Sequence, residues 1–269
     1  MAKYWILLII SAFYILGCNK TSREELAKNR LSEITRITEA GNFNLAKLKL
    51  DTLIQEFSDQ TLQVNEAKGI LKQLNIMEQE RNLAFLDSLL ITQEALLEPM
   101  MKNFIVSDEY GVEKILIHKR QRPENSFNRT FIRAYLYQSG IFYISSRYHG
   151  TNWIYHQQIK VYNKDQSVLS EVVPEDGFNN RRFDDQGVKW EIVNYKDGKD
   201  NGIIDYIASH WKEPLKVQFI GKGNTYIVME QFDKEAIRDG YEISFVLKEI
   251  QRIKDEKRKV ENALRNLSR

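Results

Sequence analysis

The side chains best suited to metal binding or nucleophilic chemistry are few, namely one cysteine and four histidines. The histidines are His118, His149, His156 and His210. No two of them have the spacing of a helical HExxH zinc motif, and the common structural zinc sites also use cysteines. We therefore predict no metal site and no cofactor. A site that joins His149 and His156 to a distant carboxylate is the alternative.

Motifs of other catalytic machinery are missing from the sequence. There is no GxSxG elbow, no SxxK with its companion motifs, no Walker loop and no GxGxxG. The stretch Asp197–Gly202 resembles the start of an EF-hand loop, but Lys199 at its third position would repel a cation and Ala208 replaces the bidentate glutamate. We interpret it as a turn and predict no catalytic residue.

The single cysteine, Cys18, follows a distinctive N-terminal segment. Lys3 precedes an apolar run from Tyr4 to Leu16, and Gly17 then precedes the cysteine. A basic start, a short apolar core and a small residue at the cut site are typical of a secretory signal peptide. The run is also shorter than the roughly 20 residues of a membrane-spanning helix. We predict that residues 1–17 are a signal peptide.

The residues Ile15, Leu16, Gly17 and Cys18 together resemble the lipobox of bacterial lipoproteins. This resemblance implies diacylation of the Cys18 thiol, cleavage after Gly17 and acylation of the freed amine. Two or more acyl chains hold a protein stably on a bilayer, whereas one chain binds only marginally. We expect a body tethered to a membrane of the bacterial cell envelope through Cys18, on the periplasmic face or at the cell surface.

The densest polar and aromatic segment is a candidate surface for a ligand or a partner. Its members are Arg147, Tyr148, His149, Trp153, Tyr155 and His156. Exposed aromatic and polar residues between strands often recognise sugars, peptides or proteins. The alternative is a hairpin tip whose Trp153 and Tyr155 fold back onto the sheet. The segment from Phe178 to Phe183 is a second stretch of this kind.

Hydrophobic periodicity divides the chain into helical ends and a β-rich middle. Residues 24–40 and 43–57 are predicted to form a helical hairpin, followed by a long helix over 62–98 that Pro99 ends or kinks. Predicted strands and one short helix follow, and a heptad seam runs from Ile243 to Leu267. The strands are Ile115–Ile117, Thr130–Tyr137, Ile141–Ser146, Gln158–Tyr162, Ser167–Val172, Val188–Tyr195, Leu215–Ile220 and Thr225–Glu230, and the helix is Ile203–His210.

These elements predict an α+β fold. We expect a signal peptide over 1–17, a lipid-anchored helical region over 18–102, an antiparallel β domain over 103–232 and a coiled-coil-like helix over 233–269. The β-sheet is expected to be curled or barrel-like, since its strands follow one another as a meander. The C-terminal helix is predicted to pack back on the long helix, and a coiled coil with another chain is the alternative.

The order of these parts is similar to that of Bacteroidota-type cell-envelope lipoproteins, a group that supplies no activity to transfer. Our leading hypothesis is a non-catalytic binding or scaffold protein of the envelope, whose partner is an envelope protein or glycan. A net charge of +2 gives no strong field, so we predict no nucleic-acid partner. The alternatives are a hydrolase acting on an envelope glycan or peptide, and a structural coiled-coil spacer.

Overall fold

The computed structural model describes residues 22–107 and 113–269. The predicted signal peptide and Cys18 lie outside these residues. The chain divides into two compact units, whose described parts are residues 22–84 with 259–269 and residues 85–107 with 113–258. The fold is α+β, as the sequence predicts.

Six α-helices lie in the described residues. They are α1 (Arg23–Glu39), α2 (Phe43–Glu56), α3 (Thr61–Met100), α4 (Pro123–Ser126), α5 (Ile203–Ser209) and α6 (Gln231–Ser268). Short 3₁₀ turns occupy Met101–Asn103 and Lys119–Gln121. Helix α3 ends at Met100, one residue after Pro99, which lies in its last turn.

The strands of the described residues are all antiparallel and form two sheets. They are β1 (Phe104–Ser107), β2 (Ile115–His118), β3 (Phe131–Tyr137), β4 (Phe142–Gly150), β5 (Gln158–Tyr162), β6 (Ser167–Leu169), β7 (Asn180–Asp185), β8 (Val188–Tyr195), β9 (Lys216–Ile220) and β10 (Asn224–Val228). Six strands follow the order β1-β2-β3-β4-β8-β7, and four follow β10-β9-β5-β6. The expectation of a barrel-like sheet is not confirmed, because the strands divide between these two sheets.

The first unit is built on the predicted helical hairpin. The Ser22 hydroxyl caps α1 by accepting a hydrogen bond from the Glu25 backbone N–H at 3.1 Å. The buried residues of α1 and α2 then follow helical spacing, so each helix presents one apolar stripe. The members of this core include Leu31, Ile34, Ala46, Leu50, Leu53, Ala67 and Leu74.

The second unit has its main core between the two sheets. Ile132 and Ile144 of the six-stranded sheet join a buried cluster with Ile159 and Phe219 of the four-stranded sheet, to which α5 and α6 add Ile203 and Ile237. A separate cluster places Ile243 and Leu247 of α6 with Leu97 and Met100 of α3. The predicted packing of the C-terminal helix on the long helix is therefore confirmed.

The hairpin of β3 and β4 positions the candidate site, and its turn depends on Gly140. Gly140 has a φ of +86°, a region that L side chains rarely adopt. A Cβ at this position would also lie 2.9 Å from the Ser244 carbonyl oxygen of α6. The glycine therefore allows both the tight turn and the close approach of the turn to α6.

Candidate functional site

One face of the six-stranded sheet carries a cluster of cationic and aromatic side chains. Residues paired across antiparallel strands project from the same face of a sheet, and the side-chain period along a strand is two. Arg133 pairs with Ser145, Tyr135 with Tyr143, Phe131 with Arg147, and His149 with Trp190. We call the set of Arg133, Tyr135, Tyr143, Ser145, Arg147 and His149 the arginine–tyrosine face.

The sequence places these residues together through the alternation of β3 and β4. In β3, Ile132 and Ala134 join the core between the two sheets. The residues that alternate with them, including Arg133, project from the opposite face. The same alternation in β4 sends Ile144 to the core and Ser145 to the arginine–tyrosine face.

Arg133 is the most unusual side chain of this face. It is 1 % exposed, yet its Nε and Nη2 have no hydrogen-bond partner among the residues the structure describes. Its Cζ lies 5.0 Å from the Tyr135 ring centroid, a cation–π contact. The hydroxyl of Ser145, which is fully buried, also lacks a partner there.

Arg147 and His149 extend the set of unsatisfied donors. The Nη2 of Arg147 donates to the Tyr135 hydroxyl at 2.6 Å, but its Nε is buried without a partner in the described chain. The Nε2 of His149 is also buried without a partner in the described chain. The His149 ring contacts the Trp190 ring edge to face, with a centroid separation of 4.7 Å. The face therefore concentrates hydrogen-bonding capacity that the described residues do not use.

A row of tyrosines joins the two arginines to a surface cavity. The rings of Tyr135 and Tyr143 stack with a centroid separation of 5.0 Å and an interplanar angle of 5°. The ring centroid of Tyr137 lies 6.0 Å from that of Tyr143. Both Tyr137 and Tyr143 line a cavity of about 430 Å³ that also includes Lys196. Burial raises the pKa of the Tyr143 hydroxyl, so this side chain is neutral at physiological pH.

The six residues predicted as a ligand surface divide among different places. Arg147 and His149 lie on the arginine–tyrosine face. Tyr148 projects from the opposite side of β4, is buried, and donates its hydroxyl proton to the Asn152 carbonyl oxygen at 2.8 Å. His156 is fully buried.

Trp153 and Tyr155 lie together outside that face, with ring centroids 6.2 Å apart. Tyr155 is 38 % exposed, and the Arg182 and Lys222 cations lie 5.2 and 4.8 Å from its ring centroid. Tyr155, Arg182 and Lys222 line a cavity of about 470 Å³. The structure therefore does not bring the six predicted residues into one surface.

His156 belongs to a buried network centred on Glu191, which is also fully buried. The Glu191 carboxylate accepts hydrogen bonds from the backbone N–H groups of Ile154, Tyr155 and His156 at 2.7–2.8 Å, and from His156 Nδ1 at 2.8 Å. Burial acts to raise the pKa of Glu191, but these hydrogen bonds outweigh it and the pKa is lowered. Burial lowers the pKa of His156. Glu191 is therefore ionised while His156 is neutral.

The network continues from His156 to Ser146, whose Oγ lies 2.8 Å from Nε2 of His156 and 3.2 Å from the Tyr195 hydroxyl. This serine–histidine–glutamate order is the order of a hydrolase triad. A triad must touch its substrate, however, and Ser146, His156 and Glu191 are all 0 % exposed. The network fixes the segment after β4 in place and presents no nucleophile to a substrate.

Arg133, Tyr143 and Ser145 were not singled out from the sequence. The available signal was a charged residue between Ile132 and Ala134 in the middle of an otherwise apolar strand, where a buried arginine normally requires a partner. The sequence shows the position of Arg133 in the alternation. It does not show that no acidic residue of the described chain pairs with Arg133.

The chain matches no protein-family model, no curated protein and no solved structure. Within residues 22–107 and 113–269, no helix combines the length and apolar character needed to cross a membrane. Those same ranges hold no group of three or more histidine, cysteine, aspartate or glutamate side chains placed to bind a metal ion. The geometry of the site must therefore support any functional conclusion.

Proposed function

We propose that this protein is a cell-envelope lipoprotein, anchored by lipid on Cys18, whose β region binds a partner molecule through the arginine–tyrosine face without catalysing a reaction. The observation that carries the binding role is Arg133, buried to 1 % exposure with Nε and Nη2 unpartnered among the described residues. Buried polar groups in folded proteins are almost always hydrogen-bonded, and an unpaired buried charge is especially unfavourable. Natural proteins keep such unfavourable buried groups mainly at functional sites.

Two alternative roles receive less support. A hydrolase would need an accessible nucleophile, and the serine of the Ser146–His156–Glu191 network is fully buried. A coiled-coil spacer between chains would need the seam of α6 to be free. Within the second unit, Ile243 and Leu247 of this seam already pack against Leu97 and Met100 of α3. A binding module on a lipid anchor needs neither feature.

Membrane attachment through Cys18 is tested by the Cys18→Ala variant. We expect the wild-type protein to be recovered in the membrane fraction, with a mass increased by the lipid on Cys18. The alanine variant cannot be acylated at this position, so we expect it to lack that mass and to remain as the uncleaved precursor. Intact-mass spectrometry of both proteins, expressed in a bacterial host, measures this difference. A wild-type protein that begins before Cys18 and carries no lipid would contradict the anchor.

Binding through the arginine–tyrosine face is tested by photo-cross-linking in membranes. A photoreactive phenylalanine analogue at Tyr137, beside the cavity of this face, is expected to give a defined cross-linked product. The same analogue at Tyr226, which is 60 % exposed on the four-stranded sheet, is the control and is expected to give none. Identical products at both positions, or none at either, would contradict binding at this face.

A further inference from the structure

We propose that the arginine–tyrosine face binds an amphiphilic anion, with a carboxylate or phosphate head held by Arg133 and Arg147 and an apolar chain lying along the neighbouring strands. This inference rests on the proposed binding function and names the chemical class of the ligand. Its four supports are the guanidinium edge that the described residues leave unpartnered, the position of both cations, the lack of acidic partners among those residues and the apolar strip beside them.

The two unpartnered atoms of Arg133 form the edge of the guanidinium group that binds oxyanions. Nε and Nη2 lie on one side of the group and donate two parallel hydrogen bonds to a carboxylate or a phosphate. Arg252 uses these two atoms on the Glu249 carboxylate, with distances of 2.8 and 2.6 Å. In Arg133 the equivalent atoms are buried and unpartnered in the described chain. A bound oxyanion would satisfy both.

The second cation lies close enough to act on the same anion. The Cζ atoms of Arg133 and Arg147 are 5.0 and 6.0 Å from the centroid of the same ring, that of Tyr135. Guanidinium groups only donate hydrogen bonds, so neither arginine can satisfy the other. The Ser145 hydroxyl lies opposite Arg133 in the register, lacks a partner among the described residues and adds a further donor.

The described residues do not neutralise these two charges. Nearby arginines do have acidic partners: Arg129 lies 2.8 Å from Asp233, and Arg182 forms an ion pair with Glu175. No ion pair of Arg133 or Arg147 occurs in the parts of the chain that the structure describes. The face is therefore complementary in charge to an anion from outside those residues.

The apolar strip next to the arginines favours an anion that carries a hydrocarbon chain. Ile115, Ile117, Tyr135 and Tyr143 form a buried cluster, against which Ile105 and Tyr137 pack. All six belong to strands β1 to β4, whereas the clusters on the other face include residues of α3, α5 or α6. The adjoining cavity of about 430 Å³, which Lys196, Glu113 and Asp197 also line, falls in the range of small-molecule sites.

The proposal is tested by calorimetric titration of the full chain, purified in a nonionic detergent and stripped of bound lipid. Four probes separate the head from the chain: octyl phosphate, octanoate, octanol and inorganic phosphate. Hydrogen bonds to charged groups support a difference of about 10- to 100-fold in affinity. We expect octyl phosphate and octanoate to bind more tightly than octanol by a factor in this range. We also expect both to bind more tightly than inorganic phosphate, because they bury an apolar chain as well as the head.

Three variants connect the binding to the named residues. Arg133→Gln and Arg147→Gln are each expected to weaken octyl phosphate binding by about tenfold or more. Arg181→Gln, at an exposed position of β7, is the matched control and is expected to change the affinity by less than about twofold. Near-UV circular dichroism establishes that each variant is folded, and the half-buried Arg147 supplies the test if the Arg133 variant does not fold.

Several results would overturn the inference. If octanol bound as tightly as octyl phosphate, binding would not require an anionic head. If inorganic phosphate bound as tightly as octyl phosphate, binding would not require an apolar chain. Unchanged affinity for octyl phosphate in both folded arginine variants would show that Arg133 and Arg147 do not hold the anionic head. If no probe binds but the Tyr137 cross-link still forms, the ligand class is wrong while the proposed function stands. If no probe binds and no Tyr137 cross-link forms, both the ligand class and the proposed binding function are wrong.

Discussion

Replacing Glu191 by alanine is expected to lower the free energy of unfolding of the second unit by about 3–5 kcal/mol, as when one partner of a buried charged network is removed. The Glu191 carboxylate accepts three backbone N–H groups and His156 Nδ1. Alanine would leave all four donors buried without an acceptor. Because single domains are stable by only about 5–15 kcal/mol, this loss would leave the unit marginally folded.

Urea unfolding followed by tryptophan fluorescence measures this loss. The tryptophans beyond the signal segment are Trp153, Trp190 and Trp211, which all lie in the second unit. The matched control is Glu249→Ala in the same unit, which removes a half-exposed carboxylate that pairs with the exposed Arg252. Exposed ion pairs contribute about 0–1 kcal/mol, so the control is expected to change stability little. A loss of similar size in both variants would contradict the structural role of Glu191.

The contribution of Glu191 also depends on pH with a definite sign. Its pKa is lowered in the folded protein, so the unfolded state binds more protons between the two pKa values and stability rises with pH there. The stabilising effect is fully present above the ordinary glutamate pKa of 4.5 and is lost as the pH falls through the lower folded value. The stability difference between wild type and Glu191→Ala is therefore expected to shrink in acid.

Replacing Arg133 by methionine is expected to raise the free energy of unfolding of the ligand-free second unit by a net amount of about 1 kcal/mol. The substitution removes the cost of burying an unsatisfied polar group, which is about 1–3 kcal/mol and larger for a charged group. Most core substitutions destabilise a protein, so this sign is unusual. The cation–π contact of Arg133 with Tyr135 opposes the gain by about 0.5–2 kcal/mol. The penalty of a charge buried without a partner in the described residues is the larger effect, and methionine keeps the length of the side chain.

Arg129, four positions N-terminal to Arg133, supplies a control with the opposite sign. Its Nη2 donates to both carboxylate oxygens of the buried Asp233, at 2.8 and 2.9 Å. Arg129→Met would leave that carboxylate without its cation, so a loss of about 3–5 kcal/mol is expected. Equal losses in the two methionine variants would show that Arg133 stabilises the fold in the ordinary way.

Local pattern predicts most of the elements of this protein. The alternation from Phe131 to Tyr137 correctly indicates β3, and the heptad spacing from Ile243 correctly indicates a long helix with one apolar seam. Both depend on side chains close in sequence, whose burial follows the period of the element. Strand β7 was missed because its sequence NRRFDD is polar and mostly exposed, and only its pairing with β8 makes it a strand.

The site could not be predicted in the same way, because its character depends on contacts distant in sequence. His156 was selected as a surface residue, but Glu191, 35 positions later, holds it in the interior. Arg133 was recognised only as part of an alternating strand. Its importance comes from the lack of an acidic partner among the described residues. That lack depends on how the strands assemble into sheets and not on any local period.

The most direct test of the arginine–tyrosine face as a binding site is the stability of Arg133→Met and wild type with and without octyl phosphate, after bound lipid has been removed. Without ligand, the variant should be the more stable protein. A ligand at about 100 times its Kd stabilises the folded state by about 2.7 kcal/mol, so octyl phosphate should stabilise wild type by that amount. At the same concentration, a variant that binds tenfold or more weakly should be stabilised by no more than about 1.4 kcal/mol. A variant that is less stable than wild type without ligand, or that octyl phosphate stabilises equally, would contradict the account.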